Sequence, residues 1–497
     1  MPGFRQRRRL TLRKTLLAAA AIGALPLSAA AKDLPPTPEG AQKLSAVFAA
    51  YLGKPAAGAP PPISVTPEGA HYAVAIDLAS FAAPLKNSGF SIDPAIVKYM
   101  LTEQDDGAWR VTGAELPPIA GHTRDGAIAY NFAGYKFDGI FDPTLGAFKN
   151  AQTGVDKLTA QVQAPALQET IAAGPVRATQ TATPAPNGAV SAAVHEEIAD
   201  LSISGSVTPD AAKAGADAKP DAFTFQLAKA VVDAGLDGAP MRKALDLWAF
   251  VVAHPSRPEI AAIEPAFKDL LRAVVPADAR LAEKVDAQNI AVATQKGSFG
   301  LASAKFSLAA ALTQGPKGSV EYHLAMAGLT LPAGLAPPPM HDLTPTAFDF
   351  GIKASGFDFA AGANEVIDDL HFAGDGPVIA QADGAKIFAR MRGTAPLTVE
   401  LLPSHVAAPQ IDLTLEGQGR LEGLRASGTL KVRAHNFDKT VAALKAVGPM
   451  APPQMIGFLA LAKSLGKTEG DGDLTWVAEY GQDGSIKING LPLGKGP

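Results

Sequence analysis

From residue 424 to 434 every second side chain is apolar or small, while Arg425, Ser427, Thr429, Lys431 and Arg433 take the alternate positions. Side chains of an extended strand point alternately to its two faces, so this spacing predicts a strand with one dry and one wet side. The pattern recurs along the chain. Leu474, Trp476, Ala478 and Tyr480 share a dry face, Asp483-Gly484 makes a hairpin turn, and Ile486 and Ile488 continue the dry face opposite Lys487 and Asn489. Further strands are expected at Tyr72–Leu78, Trp109–Leu116, Ile128–Phe132, Leu158–Val162, Ala189–Ser204, Phe223–Leu227, Asn289–Ala293, Ala304–Leu312, Val320–Leu329, Ala347–Ile352, Leu397–Leu402 and Gln410–Leu415. One-sided strands joined by glycine-rich turns predict antiparallel sheets with one face covered.

The expected cover is helical. Asp438 reads as an N-cap, Val441, Leu444 and Val447 line one side of the following helix, and Gly448 stops it. Pro452-Pro453 then opens a second helix through Met455, Ile456, Phe458, Leu459, Leu461 and Leu465. A central pair, Met241–Ala253 and Glu259–Val274, has the same character. The fold class expected is α+β: long curved antiparallel β-sheets with helix pairs packed on one face, filling the concave side.

A repeat is expected within this plan. Shifting residues 75–101 by 359 positions sets Ala75 on Ala434, Ala83 on Ala442, Leu85 on Leu444, Lys86 on Lys445, Gly89 on Gly448 and Pro94 on Pro453. Ile96, Val97, Tyr99 and Met100 then meet Met455, Ile456, Phe458 and Leu459. The shared order of helix, stop, proline and second helix suggests a repeated β-α-α-β-β module.

The N-terminus carries an address. Arg5, Arg7, Arg8, Arg9, Arg13 and Lys14 precede an apolar run from Leu16 to Leu27, which ends in Ser28-Ala29-Ala30-Ala31. A cationic head, a short apolar middle and small residues at the exit make a secretory signal peptide over 1–31, cleaved after about Ala31. The run is too short for a bilayer span, which needs about 20 residues. The arginine pairs are compatible with Sec or twin-arginine export. No cysteine occurs in the 497 residues, so disulfides, thiolate metal sites and thiol catalysis are excluded. Export without disulfides points to a bacterial periplasm. Removing six of the 44 basic residues and none of the 48 acidic ones leaves a net charge of −10, which offers no electrostatic footprint for nucleic acid and no cationic cluster expected to attract anionic lipid surfaces. No transmembrane span is expected after cleavage. Pro- and Gly-rich stretches at 53–62, 182–188, 205–220 and 331–342 read as linkers. They divide the mature chain into 32–210, a β-rich module with a helix pair; 211–337, a central helix pair with strands; and 338–497, the C-terminal module.

The last 85 or so residues carry a hairpin built on Gly417-Gln418-Gly419, the strand SGTLKVRAHNF, the helix VAALKAVG, a Pro-Pro-led helix and the closing run DGSIKINGLPLG. This pattern, over about a fifth of the chain, resembles the YdgA-like and AsmA-like envelope proteins of Gram-negative bacteria. The resemblance implies a periplasm-facing, β-rich, non-enzymatic protein of a kind that includes lipid handlers and outer-membrane assembly factors. It transfers no catalytic residue. A cleaved N-terminus departs from the AsmA-like plan, in which the terminus is kept as an anchor.

Motifs for chemistry are sparse. No two of the nine histidines lie within four residues of each other, so H-x-x-x-H zinc spacing is absent. His195-Glu196-Glu197 is the densest trio, and on an alternating strand it places His195 and Glu197 on one solvated face. His341-Asp342 is expected to cap the segment after a proline-rich linker. No G-x-S-x-G elbow occurs. Gly417, Gly419 and Gly423 fall between strands and not before a helix, which favours a hairpin over a phosphate loop. Asp105-Asp106-Gly107 and Asp471-Gly472-Asp473 lack the oxygen spacing and closing Glu of a calcium loop and read as turns. Asp368-Asp369 carries no acid/base dyad by sequence alone. Trp109, Trp248 and Trp476 suit cores. No catalytic, cofactor-binding or metal residue is therefore assigned, and no cofactor. The expectation is a non-enzymatic periplasmic binding or scaffolding protein whose partner is lipid or an envelope protein, with an apolar surface along the sheet as the candidate site. The alternatives are a periplasmic hydrolase using acids on the strands and a pure protein–protein interaction module.

Overall fold

A computed structural model of the chain describes residues 36–53, 61–83, 89–113, 115–208, 220–275, 278–332, 334–335, 341–379, 383–423, 425–446, 453–470 and 472–495. The expected signal peptide and the expected domain cuts near 210 and 337 lie outside these residues. The strands, in chain order, begin with β1 (Ile63–Glu68), β2 (His71–Asp77), β3 (Ser91–Ile92), β4 (Ile96–Glu103), β5 (Trp109–Gly113) and β6 (Ile119–Thr123). Next come β7 (Gly126–Ala133), β8 (Lys136–Asp142), β9 (Ala147–Val155), β10 (Lys157–Ala164), β11 (Leu167–Ala173) and β12 (Val176–Pro184). Four long strands follow: β13 (Val190–Val207), β14 (Asp221–Ala239), β15 (Asp278–Thr294) and β16 (Gly297–Thr313). Then come β17 (Gly318–Ala327), β18 (Ala347–Phe357), β19 (Leu397–Ala408), β20 (Ile411–Glu422) and β21 (Arg425–His435). The last are β22 (Lys467–Glu469), β23 (Asp473–Tyr480), β24 (Ser485–Ile488) and β25 (Leu491–Lys495).

The described helices are α1 (Pro38–Leu52), α2 (Leu78–Ala82), α3 (Met241–Ala253), α4 (Arg257–Ala262), α5 (Glu264–Val274), α6 (Phe359–Asp368), α7 (Gly384–Arg392), α8 (Phe437–Ala446) and α9 (Pro453–Leu465). None of them is long and apolar enough to cross a membrane.

The strands join one antiparallel sheet. Its main ribbon runs β1-β2-β4-β5-β8-β9-β12-β13 and continues through β14 to β21, then β23, β24 and β25. A second branch, β3-β6-β7-β10-β11, joins at the far half of β13. Thus β13 pairs with β12 over Val190–Ile198 and with β11 over Ser202–Val207.

The branch point belongs to a line that crosses the whole central sheet. The ladder from β13 to β14 skips a rung at Asp200 and Ala228, and the next ladders skip Asn289 and Ala302. Asp200 and Asn289 hold φ of 49° and 53° there, in the left-handed region that small polar residues tolerate better than branched ones. Gly328, at φ 69°, continues the line beside Ala302, where a Cβ would lie 2.6 Å from the alanine methyl. On the other side the line passes through Gly174, whose amide donates to the Ala199 carbonyl, and Asp156, whose amide donates to the Ala133 carbonyl. Each crossing inserts one residue into the alternation and reverses its phase, as a bulge does. In β14 the less exposed positions are Phe223, Phe225 and Leu227 before the line, and Ala230, Val232, Ala234 and Leu236 after it.

Helices sit where the chain turns at strand ends. α3, α4 and α5 connect β14 to β15, and α6 and α7 connect β18 to β19 at the same end of the strands. They are cross-linked: Arg272 meets Asp368 at 2.6 Å, the Lys268 ammonium donates to the Asp368 carbonyl, Lys386 meets Asp369 at 2.9 Å, and Glu365 takes both Lys386 and Arg390. Met241–Ala253 is helical as expected. The expected helix at 259–274 is two, because Ile263 leaves helical geometry and Pro265 starts α5, a position where its missing N–H costs nothing.

The repeated module does not hold at its N-terminal end. The C-terminal copy keeps ribbon, helix, helix as β21, α8 and α9, although α8 starts at Phe437, which leaves Asp438 in the first turn instead of capping it. In the other stretch α2 spans only five residues, and the expected second helix is the strand β4. Its burial alternates strictly, with Val97, Tyr99 and Leu101 inside and Ile96, Lys98 and Met100 outside. A β-branched and aromatic run with period two fits a strand, and the proline at 94 serves as a strand lead-in as readily as a helix start.

Candidate binding surface

One row of directly paired residues can be followed along almost the entire main ribbon. It starts at Tyr72, Leu101 and Val111, and passes through Gly139, Ala151 and Gln180. It continues through Val194, Ala234, Glu283, Leu308, Tyr322 and Ile352. It closes through Leu401, Gly417, Leu430, Ala478, Ile488 and Leu491. Paired residues of an antiparallel sheet share a face. The neighbouring row, Val232, Val285, Phe306, Leu324 and Phe350, is equally apolar.

The cover on this face changes along its length. At the N-terminal end α1 seals it: Leu44 and Phe48 pack with Tyr72, Val74, Val97, Leu101, Trp109 and Val111, all at most 4% exposed. At the C-terminal end Phe437, Val441, Leu459 and Ala462 of α8 and α9 pack on Leu413, Ala434, Leu474 and Trp476. Trp476 Nε1 donates to the Ala462 carbonyl, and Asn489 Nδ2 donates to the Leu465 carbonyl, so the Asn-Gly turn pins the end of α9 to the sheet. Between these two seals the face stays open. Val194, Leu281, Leu324, Val399 and Leu430 are each 36–43% exposed. The expected helical cover over one whole face is thus confined to its ends. From β13 to β24 the ribbon has ten strand spacings, roughly 48 Å at 4.8 Å each.

Three glycines lower this face near its C-terminal end: Gly417 and Gly419 on β20, and Gly428 paired with Gly419 on β21. A Cβ at Gly417 or Gly428 would come within 2.6 Å of a neighbouring strand's carbonyl, so close strand approach requires glycine there. At Gly419 the nearest atoms would lie 3.8 Å away, an ordinary contact. Gly417 and Gly419 lie inside β20, so the turn expected there falls at Gly423, at φ 59°.

The opposite face is polar and carries four histidine–aspartate pairs: His195–Asp233 at 2.7 Å, His323–Asp349 at 2.6 Å, His405–Asp412 at 2.9 Å and His435–Asp473 at 2.5 Å. Asp233 beside it raises the His195 pKa above 6.5. His435, then Arg433, holds the Asp473 carboxyl below its usual range. His195 and Glu197 share this face, with Lys229 Nζ 3.2 Å from Glu197. Glu196 points to the apolar face, where it stands opposite Val232 and burial pushes its carboxyl up. Two shallow hollows lie on the polar side, one bordered by Thr179, His195, Asp233 and Lys284, the other by Thr398, Gln418, Arg420, Thr429 and Lys487.

The remaining acidic motifs have structural partners. Asp106 accepts from the Ala108 amide and from Lys149, as a turn aspartate does. Asp473 is not a turn residue: it opens β23 and binds Arg433 and His435. Asp471 lies outside the described residues. Asp368 and Asp369 are spent on Arg272 and Lys386. Asp342 joins the next segment through its backbone carbonyl, which accepts from the Gln410 amide. Trp109 and Trp476 are core residues, whereas Trp248 is 53% exposed and donates to the Tyr51 carbonyl. Among the described residues no three His, Asp or Glu side chains converge as a metal site. Comparison with protein families, with curated proteins and with solved structures returns no match to this chain.

Proposed function

We propose that this chain is a non-enzymatic protein of the bacterial periplasm that holds lipid acyl chains against the open apolar face of β13–β24. The observation that carries the reading is the change of cover along one row: at most 1% exposure at Tyr72 and Leu101, and 36–38% at Val194 and Leu430. Exposed apolar surface on that scale marks an interaction site, since a solvated sheet face normally alternates to polar. An acyl chain suits it because contact with rows of aliphatic side chains needs no hydrogen-bond partner, and few polar groups interrupt these rows. The signal peptide and the resemblance to envelope proteins supply the compartment.

The test is extraction of the purified mature protein into organic solvent, followed by mass spectrometry. Phospholipid or fatty acid at stoichiometric level is expected, and a Leu281→Asp/Val399→Asp variant is expected to lose it while staying folded. A lipid-free extract from folded protein sinks the reading, and turnover on an esterase or glycosidase panel would replace it with a hydrolase.

A further inference from the structure

Among the described residues, the two most exposed large apolar side chains are Phe458 at 69% and Leu461 at 57%, and both belong to α9. Three positions apart on a helix, they lie on one side of it. The adjoining side, with Leu459 and Ala462, is the one packed on the sheet. An exposed apolar patch next to a side already seated on a core is a candidate contact surface. Its charge identifies the partner. From 437 to 467 there are four lysines, Lys439, Lys445, Lys463 and Lys467, and one acid, Asp438, in a chain whose formal net charge is −4. All four lysines are exposed, and Lys463 is paired with Asp438, which leaves the positive excess on Lys439, Lys445 and Lys467. Exposed Phe and Leu on one helix with lysines on the helix paired to it is the composition of elements that lie in the headgroup region of anionic bilayers.

We infer that α9 docks the protein on the surface of an anionic lipid bilayer, with Phe458 and Leu461 inserted and Lys439 and Lys445 of α8 facing the headgroups. The inference rests on the lipid reading above and gives it geography. Because Leu459, Ala462, Trp476 and Asn489 fix α9 to the sheet, a docked helix sets the C-terminal end of the open apolar face against the membrane.

The test is flotation of the mature chain with vesicles of equimolar phosphatidylglycerol and phosphatidylcholine, and with vesicles of phosphatidylcholine alone. The chain is expected to float with the anionic vesicles, and less so as salt shortens the screening length. Phe458→Ser/Leu461→Ser should cut the bound fraction about tenfold, with circular dichroism unchanged. Lys439→Glu/Lys445→Glu should remove the salt-sensitive part. Trp248→Ser, at another exposed helical residue, should bind like the parent. The inference is overturned if the double serine variant floats like the parent or if the parent floats with neither vesicle. It is also overturned if the serine changes abolish a concentration-dependent dimer instead, since the occupant is then a second copy. Extraction separates the two readings. A serine variant that no longer floats but still carries lipid supports both. A parent that floats yet yields no lipid keeps the docking and discards the sheet site.

Discussion

The strands under α1 and the strands from β13 to β19 belong to the same sheet and continue the same rows, yet they are different materials. Around Trp109, side chains are large, interlocked and dry: Trp109, Val97 and Leu101 are each 0% exposed. Tyr99 and Tyr135 share a hydrogen bond there, and desolvation raises both phenols. From β13 onward, side chains such as Leu281 and Leu324 remain more than a third exposed, and charge pairs on the polar side tie strand to strand. The first region is stabilised by burial across two layers. The second is a single layer held by its ladders, with its apolar face uncovered. Dry core and open apolar face are therefore separated along one sheet.

That contrast can be broken by substitution. Trp109→Ala should cost about 3–5 kcal/mol, read from a denaturant midpoint, whereas Leu324→Ala should cost about 1 kcal/mol or less because little cavity forms. Equal losses would mean that the open face is buried in solution. The glycines sharpen the comparison within the second region. Gly428→Ala forces a Cβ against the Gln418 carbonyl at 2.6 Å and should destabilise by about 1–3 kcal/mol. Gly419→Ala meets only ordinary contacts and should be neutral or stabilising by about 0.4–1 kcal/mol.

The smallest effects are in pH dependence, because the His195 pair is solvated and the two bases that hold the buried Asp473 are themselves about half exposed. The folded-state pKa of Asp473 is lowered, so its contribution is present above the unfolded value near 3.8 and is lost as pH falls through the folded one. Asp473→Asn should flatten the acid limb of a midpoint-against-pH curve. The pKa of His195 is raised, so its contribution is full below 6.5 and is lost as pH rises through the folded value. His195→Gln should leave a curve that no longer declines there, and an NMR titration should place His195 above 6.5.

Much of the sheet is legible in the sequence, because alternation is a direct imprint of the pleat: the stretches at 128–132, 158–162, 347–352 and 425–434 all fall on strands, and that at 72–78 does so up to Asp77, with Leu78 opening α2. The long strands were read short for a specific reason. Alternation from Phe223 stops at Leu227 because the phase reverses at Ala228, and the segment beginning at Asn289 is the far half of β15 after the same reversal. A period-two reading takes a phase reversal for an end. Residues 96–101 read as helix through their likeness to 455–460, although their own alternation says strand. The open surface was only partly legible. Sequence marks which side chains share a face, but whether a helix lies over that face depends on contacts such as Phe48 on the N-terminal core and Leu459 at the other end.

The line of skipped rungs through Asp200, Ala228, Asn289 and Ala302 has a consequence for how such a chain can change in length. Because neighbouring arms reverse phase at the same height, an inserted or deleted residue within one arm would put its oily side chains out of step with both neighbours beyond that point. Tolerated insertions and deletions should therefore gather at the hairpin tips, such as 165–166, 295–296 and 314–317, and a residue gained in mid-strand should survive only if its neighbours gain one too.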